Sequence, residues 1–80
     1  MPPKLYLDYN EIGQNIRAAR KSKKLTQARV AKECGLSSEM IYYYEHGKKR
    51  PSLEAMLNIC RICNITLDKL VKIHYEGESQ

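Results

Sequence analysis

The sequence predicts an all-α fold, a compact domain of five short helices. Apolar residues recur every three or four positions along most of the chain, the spacing that places them on one face of a helix. Residues that favour helix ends separate these stretches, namely Thr26, Gly35, Ser37, Ser52 and Asn64. Because 80 residues leave room for one small domain, we expect the helices to share a single core.

The first predicted helix covers residues 10–22 and follows an N-terminal arm of residues 1–9. Its inward side carries three apolar residues and one arginine at helical spacing: Ile12, Ile16, Ala19 and Arg20. A short connector leads to Thr26, whose hydroxyl can accept a hydrogen bond from the first turn of the next helix. The second helix therefore starts directly after Thr26.

Two closely joined helices follow, at residues 27–34 and 38–45. Gly35 tolerates the left-handed backbone that ends a helix, and Ser37 can cap the helix after it. Helices joined by so few residues must cross sharply, and a close crossing requires a small residue, here Ala31. This is the sequence pattern of a helix-turn-helix.

The last two predicted helices begin after Ser52 and Thr66. The fourth ends at Asn64, and we expect five of its residues to face the core: Leu53, Met56, Leu57, Cys60 and Cys63. The short fifth helix directs three apolar residues inward: Leu67, Leu70 and Val71. The domain is thus predicted to span residues 10–71, without strands, and residues 72–80 form a tail that is a candidate dimer contact.

Positive charge is concentrated in two stretches of this chain, whose net charge is +5. Between Ile12 and Lys32 no acid occurs and seven cations do: Arg17, Arg20, Lys21, Lys23, Lys24, Arg29 and Lys32. A second cluster is formed by Lys48, Lys49 and Arg50. Cations clustered beside acid-free sequence are typical of a surface that binds phosphates.

Other classes of function find little support in the sequence. No apolar run approaches the length of a membrane span and no secretory signal is visible, so we expect a cytoplasmic protein without membrane contact. Three cysteines do not suggest a disulfide framework. Cys60 and Cys63 have the spacing of a metal or redox pair, but on an apolar helix face we interpret them as buried hydrophobic residues. We expect no metal, no cofactor and no enzyme activity.

The motifs resemble those of the lambda-repressor/Cro-like helix-turn-helix family, the XRE-like phage-repressor type. The likeness extends over about residues 11–71. It rests on the pattern Ile12-Gly13 to Arg20, the continuous segment of residues 25–45, and the motifs Gly47-Lys48 and Pro51–Glu54 that follow. The resemblance implies a five-helix DNA-binding domain that regulates transcription.

The outward face of the third helix can be derived from helical geometry alone. At about 100° per residue, one arc holds Met40, Ile41 and Tyr44, which must pack on the domain. The opposite arc carries the candidate base-reading residues: Ser38, Glu39, Tyr42 and Tyr43. Serine can bond to several base edges, glutamate can accept from a cytosine amino group, and tyrosine can touch a thymine methyl or donate to phosphate. An acid in a first helical turn and surface tyrosines also occur without any such role.

By resemblance, further residues receive roles in the family's interface. Gln27 matches a position that bonds a DNA phosphate and orients the recognition helix. The expected phosphate contacts also include four cations: Lys48, Lys49, Arg50 and Arg17. Arg20 and Glu45 match a partly buried ion pair whose role is structural.

Together these features predict a regulator that binds double-stranded DNA in a sequence-specific way. We expect a repressor or controller that acts as a homodimer on a palindromic operator, associated with the nucleoid through its DNA. The apolar residues of segment 64–73 form the expected dimer surface. The alternative is a protein-interaction module, either the antitoxin of a toxin–antitoxin pair or a coactivator-like adaptor.

Overall fold

Five helices and two short strands form residues 3–77, the part of the chain that the computed structural model describes. The helices are α1 (Tyr9–Ser22), α2 (Gln27–Cys34), α3 (Ser38–Glu45), α4 (Leu53–Cys63) and α5 (Leu67–Leu70). The strands β1 (Leu5–Leu7) and β2 (Ile73–Tyr75) lie at the two ends of the described chain. The five predicted helices are thus confirmed. Within residues 3–77, no helix has both the length and the apolar character of a membrane span.

Local capping explains why the helices begin and end where they do. The side chains of Thr26, Ser37 and Ser52 each accept a hydrogen bond from a backbone N–H in the first turn of the following helix. Gly35 and Asn64 adopt the left-handed conformation, with φ of 69° and 55°. These five helix ends confirm the sequence prediction.

One helix start and one cap differ from the prediction. The first helix begins one residue early, at Tyr9, because the carboxylate of Asp8 accepts hydrogen bonds from the N–H groups of Asn10 and Glu11, at 3.0 and 3.3 Å. Thr66 precedes α5 but makes no capping hydrogen bond with its side chain. A hydrogen bond from the Thr66 side chain instead lowers the pKa of Asp68.

The core lies between the five helices, and its largest fully buried side chains include Ile12, Ile16, Ile41, Ile59 and Leu70. The prediction for α4 is wrong at two positions, because Leu53 and Leu57 are 58% and 47% exposed. The buried stripe of α4 is displaced toward Ala55 and Ile59, so these two leucines lie on its solvent side.

Helices α1 and α3 approach so closely that their contact admits only glycine. A Cβ atom on Gly13 would lie 2.7 Å from the backbone oxygen of Glu45 and nearer still to that of Tyr44. Both oxygens belong to the last turn of α3. Gly13 therefore sets the distance between α1 and the end of α3.

The expectation that the chain has no strands is wrong, because β1 and β2 form an antiparallel two-stranded sheet. Leu5 lies opposite Tyr75, Tyr6 opposite His74, and Leu7 opposite Ile73. On one face, the rings of Tyr6 and His74 stack with their centroids 5.3 Å apart. His74 Nε2 lies 3.1 Å from Glu11 Oε1, which ties the sheet to α1. The N-terminal arm and the start of the C-terminal tail are thus one paired unit.

Segment 64–73 is less exposed than a ready dimer surface would be. Leu70 is fully buried, and Ile65, Leu67 and Val71 pack partly against the core. Ile73 is the exception, with 52% of its surface exposed. Leu70, and in part Ile65, Leu67 and Val71, therefore serve the domain's own core, and the dimer surface expected in this segment stays a prediction.

We predict that Gly13→Ala destabilises the protein by about 1–3 kcal/mol, because the added methyl group overpacks the contact with α3. An alanine in an ordinary helix interior is more favourable than glycine by about 1 kcal/mol, so the sign of the change is diagnostic. Thermal unfolding measures it, with Gln14→Ala at the neighbouring exposed position as control. A Gly13→Ala variant as stable as the native chain would contradict the close approach.

Candidate nucleic-acid interface

Helices α2 and α3 pack against each other and are joined by three residues, as the sequence predicts. Ala31, 2% exposed, lies at the contact, and Gly35 turns the chain in the left-handed conformation. The N–H of Leu36 donates to the carbonyl of Ala31 over 2.8 Å, which closes the end of α2. This short, hydrogen-bonded turn fixes the direction in which α3 leaves α2.

The two sides of α3 separate as helical geometry predicts. Ile41, Tyr44 and Glu45 are buried, and Met40 is half-buried. The outer side presents the four candidate base-reading residues: Ser38, Glu39 and Tyr42 are exposed and Tyr43 is half-buried. The structure thus brings these four side chains together on one convex surface, the outer side of a single helix, which a DNA major groove can admit.

A buried ion pair holds the far end of α3 against α1. Arg20 Nε and one terminal nitrogen donate to the two carboxylate oxygens of Glu45, over 2.6 and 3.0 Å. The Glu45 side chain is fully buried, and that of Arg20 is 10% exposed. The remaining guanidinium nitrogen donates to the carbonyl of Leu25 over 2.9 Å. The hydrogen bond to Glu45 raises the pKa of Arg20, which favours the charged guanidinium.

Gln27 belongs to the same hydrogen-bonded group. Its side-chain nitrogen donates to Glu45 Oε1 over 3.2 Å, and the residue is half-buried at the first turn of α2. An amide nitrogen carries two hydrogens, so one donor remains for a second acceptor. Gln27 therefore connects the start of α2 directly to the end of α3.

The cations that follow α3 rest on aromatic rings. Lys48 Nζ lies 5.9 Å from the centroid of the Tyr42 ring, and Lys49 Nζ lies 5.6 Å from that of Tyr43. Cation–π contacts at exposed sites contribute about 0.5–1 kcal/mol each. They hold the two ammonium groups beside the outer face of α3, so that a basic rim adjoins the candidate base-reading surface.

Two contacts of this surface were not predicted from the sequence. The Arg50 guanidinium lies 5.0 Å from the Tyr9 ring centroid, a contact between distant parts of the chain that leaves no local signal. His46 stacks on Tyr42 at a centroid distance of 4.0 Å. Their four-residue spacing is the one that brings side chains together on a helix, and it could have indicated this pair.

One cation of α1 lies close to the end of α3. Arg17 is exposed, and together with Gln14, Asn10 and His46 it lines a shallow groove that reaches Glu45. Lys21, Lys23 and Lys24 are exposed at the end of the same helix. Arg17 is therefore the α1 cation that shares a groove with the end of α3.

The three cysteines lie in or beside the core. Cys60 and Cys63 are buried, Cys34 is half-buried, and all three are free thiols. Burial raises the pKa of each thiol, which favours the uncharged form. Within residues 3–77 no cluster of three or more histidine, cysteine or acidic side chains could hold a metal ion.

The exposed outer face of α3, the glycine turn and the buried ion pair define a helix-turn-helix domain of the lambda-repressor type. The chain belongs to the helix-turn-helix family, whose model matches residues 16–70. This match confirms the resemblance that the sequence motifs indicate. It covers all of α2, α3, α4 and α5.

This chain is also similar in sequence to a curated bacterial protein. The chain is 36% identical over 68 residues to the uncharacterized HTH-type transcriptional regulator YqaE of Bacillus subtilis (strain 168). That match covers 85% of this chain and 55% of YqaE, so the chain spans about half the length of this relative.

Among solved structures, the restriction-modification controller protein C.AhdI from Aeromonas hydrophila has a TM-score of 0.74 and 28% identity. The alignment covers 79% of this chain and 96% of C.AhdI. The P22 c2 repressor in complex with a synthetic operator has a TM-score of 0.72 and 33% identity, over 76% of this chain and 92% of the repressor. The likeness therefore extends over nearly the whole of both solved chains.

We predict that Arg20→Ala destabilises the protein by about 3–5 kcal/mol, because it leaves the Glu45 carboxylate buried without a charged partner. The melting temperature of the free protein measures the loss, and Arg17→Ala in the same helix is the matched control. An unchanged melting temperature in Arg20→Ala would contradict the structural role of the pair.

Proposed function

We propose that this chain is a transcriptional regulator, rather than an enzyme, that binds double-stranded DNA in a sequence-specific way. The observation that carries the proposal is the exposed outer face of α3, with Lys48 and Lys49 against its tyrosines and its last turn held by the Arg20–Glu45 pair. Two similar proteins of known structure, a controller protein and an operator-bound repressor, support it.

In this proposal the outer face of α3 reads bases in the major groove. Ser38 and Glu39 lie in the first turn of α3, the part of the recognition helix that contacts base edges in helix-turn-helix proteins. Glu39 accepts a hydrogen bond from a cytosine amino group, and Ser38 contacts a neighbouring base edge. Tyr42 and Tyr43 contact thymine methyl groups or donate to the nearest phosphate.

Phosphate contacts flank this reading surface. Gln27 donates its second amide hydrogen to a phosphate at the N-terminus of α2. Free backbone N–H groups and the helix dipole also favour an anion there. Four cations contact the DNA backbone beside the end of α3: Lys48, Lys49, Arg50 and Arg17. These contacts position the protein but carry no sequence information.

The complete regulator is proposed to be a homodimer on a palindromic operator, acting as a repressor or controller. One recognition helix contacts only about four or five base pairs, too few to select a site in a genome. Two subunits related by two-fold symmetry place their helices in successive major grooves, about 34–36 Å apart. Selection of bound duplexes from a random pool tests this directly, because it should return two inverted half-sites.

We predict that duplex binding weakens steeply as salt rises. If each subunit neutralises about four phosphates, a plot of log affinity against log salt for the dimer has a slope of roughly −7. Fluorescence anisotropy with a selected duplex measures the slope. A slope near zero would overturn the proposal and favour the protein-interaction alternative.

We predict different effects for the two kinds of contact. Glu39→Ala should change the preferred base at one operator position, with about 1–3 kcal/mol of discrimination lost there. Lys49→Ala should weaken binding to all duplexes alike and reduce the salt slope by about 1 per lost contact. Selection experiments with both variants compare them, and uniform loss of affinity in both would contradict the separation of base-reading and phosphate-binding residues.

A further inference from the structure

The terminal sheet has an unused hydrogen-bonding edge. The N–H of Glu76 donates to the carbonyl of Lys4 over 2.8 Å, and these residues lie directly opposite each other in the register. Hydrogen-bonded pairs alternate with non-bonded pairs along an antiparallel ladder, so Leu5 and Tyr75 form a non-bonded pair. The N–H and C=O groups of Ile73 and Tyr75 therefore point away from β1, at the free edge of β2.

The two edges of this sheet differ in their capacity for a partner strand. The backbone N–H and C=O groups of Leu5 and Leu7 point outward from the β1 edge, and those of Pro3 would follow in the same alternation. Because proline has no N–H, the β1 edge lacks a hydrogen-bond donor at this position. Ile73 and Tyr75, on the β2 edge, are 52% and 43% exposed. The β2 edge thus offers both free backbone groups and free apolar surface.

The β2 edge is complementary to itself. If two copies pair antiparallel about a two-fold axis through His74, each Ile73 lies opposite a Tyr75, with both hydrogen bonds of the pair formed. The same register places each Lys72 opposite a Glu76. Cross-strand pairs of apolar residues and of opposite charges both stabilise a sheet. No shift in register is needed to obtain these matches together.

We propose that β2 pairs with β2 of a second copy, forming a four-stranded antiparallel sheet at the centre of the dimer. This inference rests on the proposed function and names the surface through which the regulator dimerises. It also accounts for the sheet itself, because two short strands are marginally stable alone and gain stability from additional strands. The partner is an identical chain, recognised through backbone hydrogen bonds and the Lys72–Glu76 pairs.

Charge reversal with mixing tests the proposed register. Lys72→Glu or Glu76→Lys places like charges opposite each other twice in a homodimer, so each variant alone should dimerise about tenfold more weakly than the native chain. In an equimolar mixture, the acid introduced at position 72 of one chain meets the base introduced at position 76 of the other. The native Lys72 and Glu76 that remain form the second pair, so the mixture should recover most of the native affinity.

Sedimentation equilibrium of the full chain measures these affinities. Lys69→Glu on α5 is the matched control, because it makes the same change of charge outside the proposed strand pairing and should leave dimerisation unchanged. A charge-reversal mixture that dimerises no more tightly than its components would overturn the proposal.

A second pair of variants addresses the hydrogen-bonding edge. Tyr75→Pro removes an outward N–H but no hydrogen bond to β1, and it should abolish dimerisation. Leu5→Pro makes the same change at the other edge and should leave the dimer intact. Circular dichroism of each variant verifies that the helical domain is folded. Equal dimerisation of Tyr75→Pro and Leu5→Pro would also overturn the proposal.

Duplex binding by the native chain separates this inference from the proposed function. If duplex binding has a steep salt slope but the substitutions in β2 do not change dimerisation, the β2 interface is overturned and the DNA-binding role remains. A native chain that forms the β2 dimer but does not bind duplex DNA would overturn the function on which the inference rests. Weakened operator binding by Lys72→Glu alone, restored by mixing with Glu76→Lys, supports both.

Discussion

The carboxylate of Glu45 is the point at which the first three helices are joined. It accepts hydrogen bonds from Arg20 on α1 and from Gln27 on α2, and Arg20 also binds the carbonyl of Leu25 in the connector between these helices. A buried charge is tolerated only when such partners satisfy it. Within the described chain no buried polar side-chain atom lacks a partner, so this network is complete.

Close packing acts on the same part of α3 as the ion pair. Gly13 allows α1 to approach the backbone of Tyr44 and Glu45, and the apolar side chains of Ile41 and Tyr44 fill the space behind the recognition surface. The last turn of α3 is therefore fixed by backbone contact, by charge and by burial together. The first turn, with Ser38 and Glu39, projects from this anchored base. A rigid base with an exposed tip suits the groove-binding role that we propose for α3.

Sequence reasoning succeeded where the determinants are local. The caps at Thr26, Ser37 and Ser52 depend on a side chain and an N–H a few residues away, and the two sides of α3 follow from helical rotation alone. It failed where the outcome depends on distant partners. The terminal strands have three residues each, too few for an alternating pattern, and their pairing joins the two ends of the described chain. The exposure of Leu57 depends on how α4 is rotated against the other helices, which its own apolar spacing left ambiguous.

The contacts of Lys48 and Lys49 with Tyr42 and Tyr43 affect how the DNA preference of such a domain can change in evolution. Each tyrosine belongs to the proposed base-reading surface, and its ring also makes a cation–π contact with a lysine of the basic rim. In the proposed DNA complex, a substitution that changes base preference at either tyrosine therefore also releases a lysine and alters the affinity for DNA of any sequence. Selectivity and general affinity are thermodynamically coupled at these positions, whereas Ser38 and Glu39 can vary without disturbing the rim. If α3 reads bases as we propose, new operator preferences arise most easily through the first turn of α3.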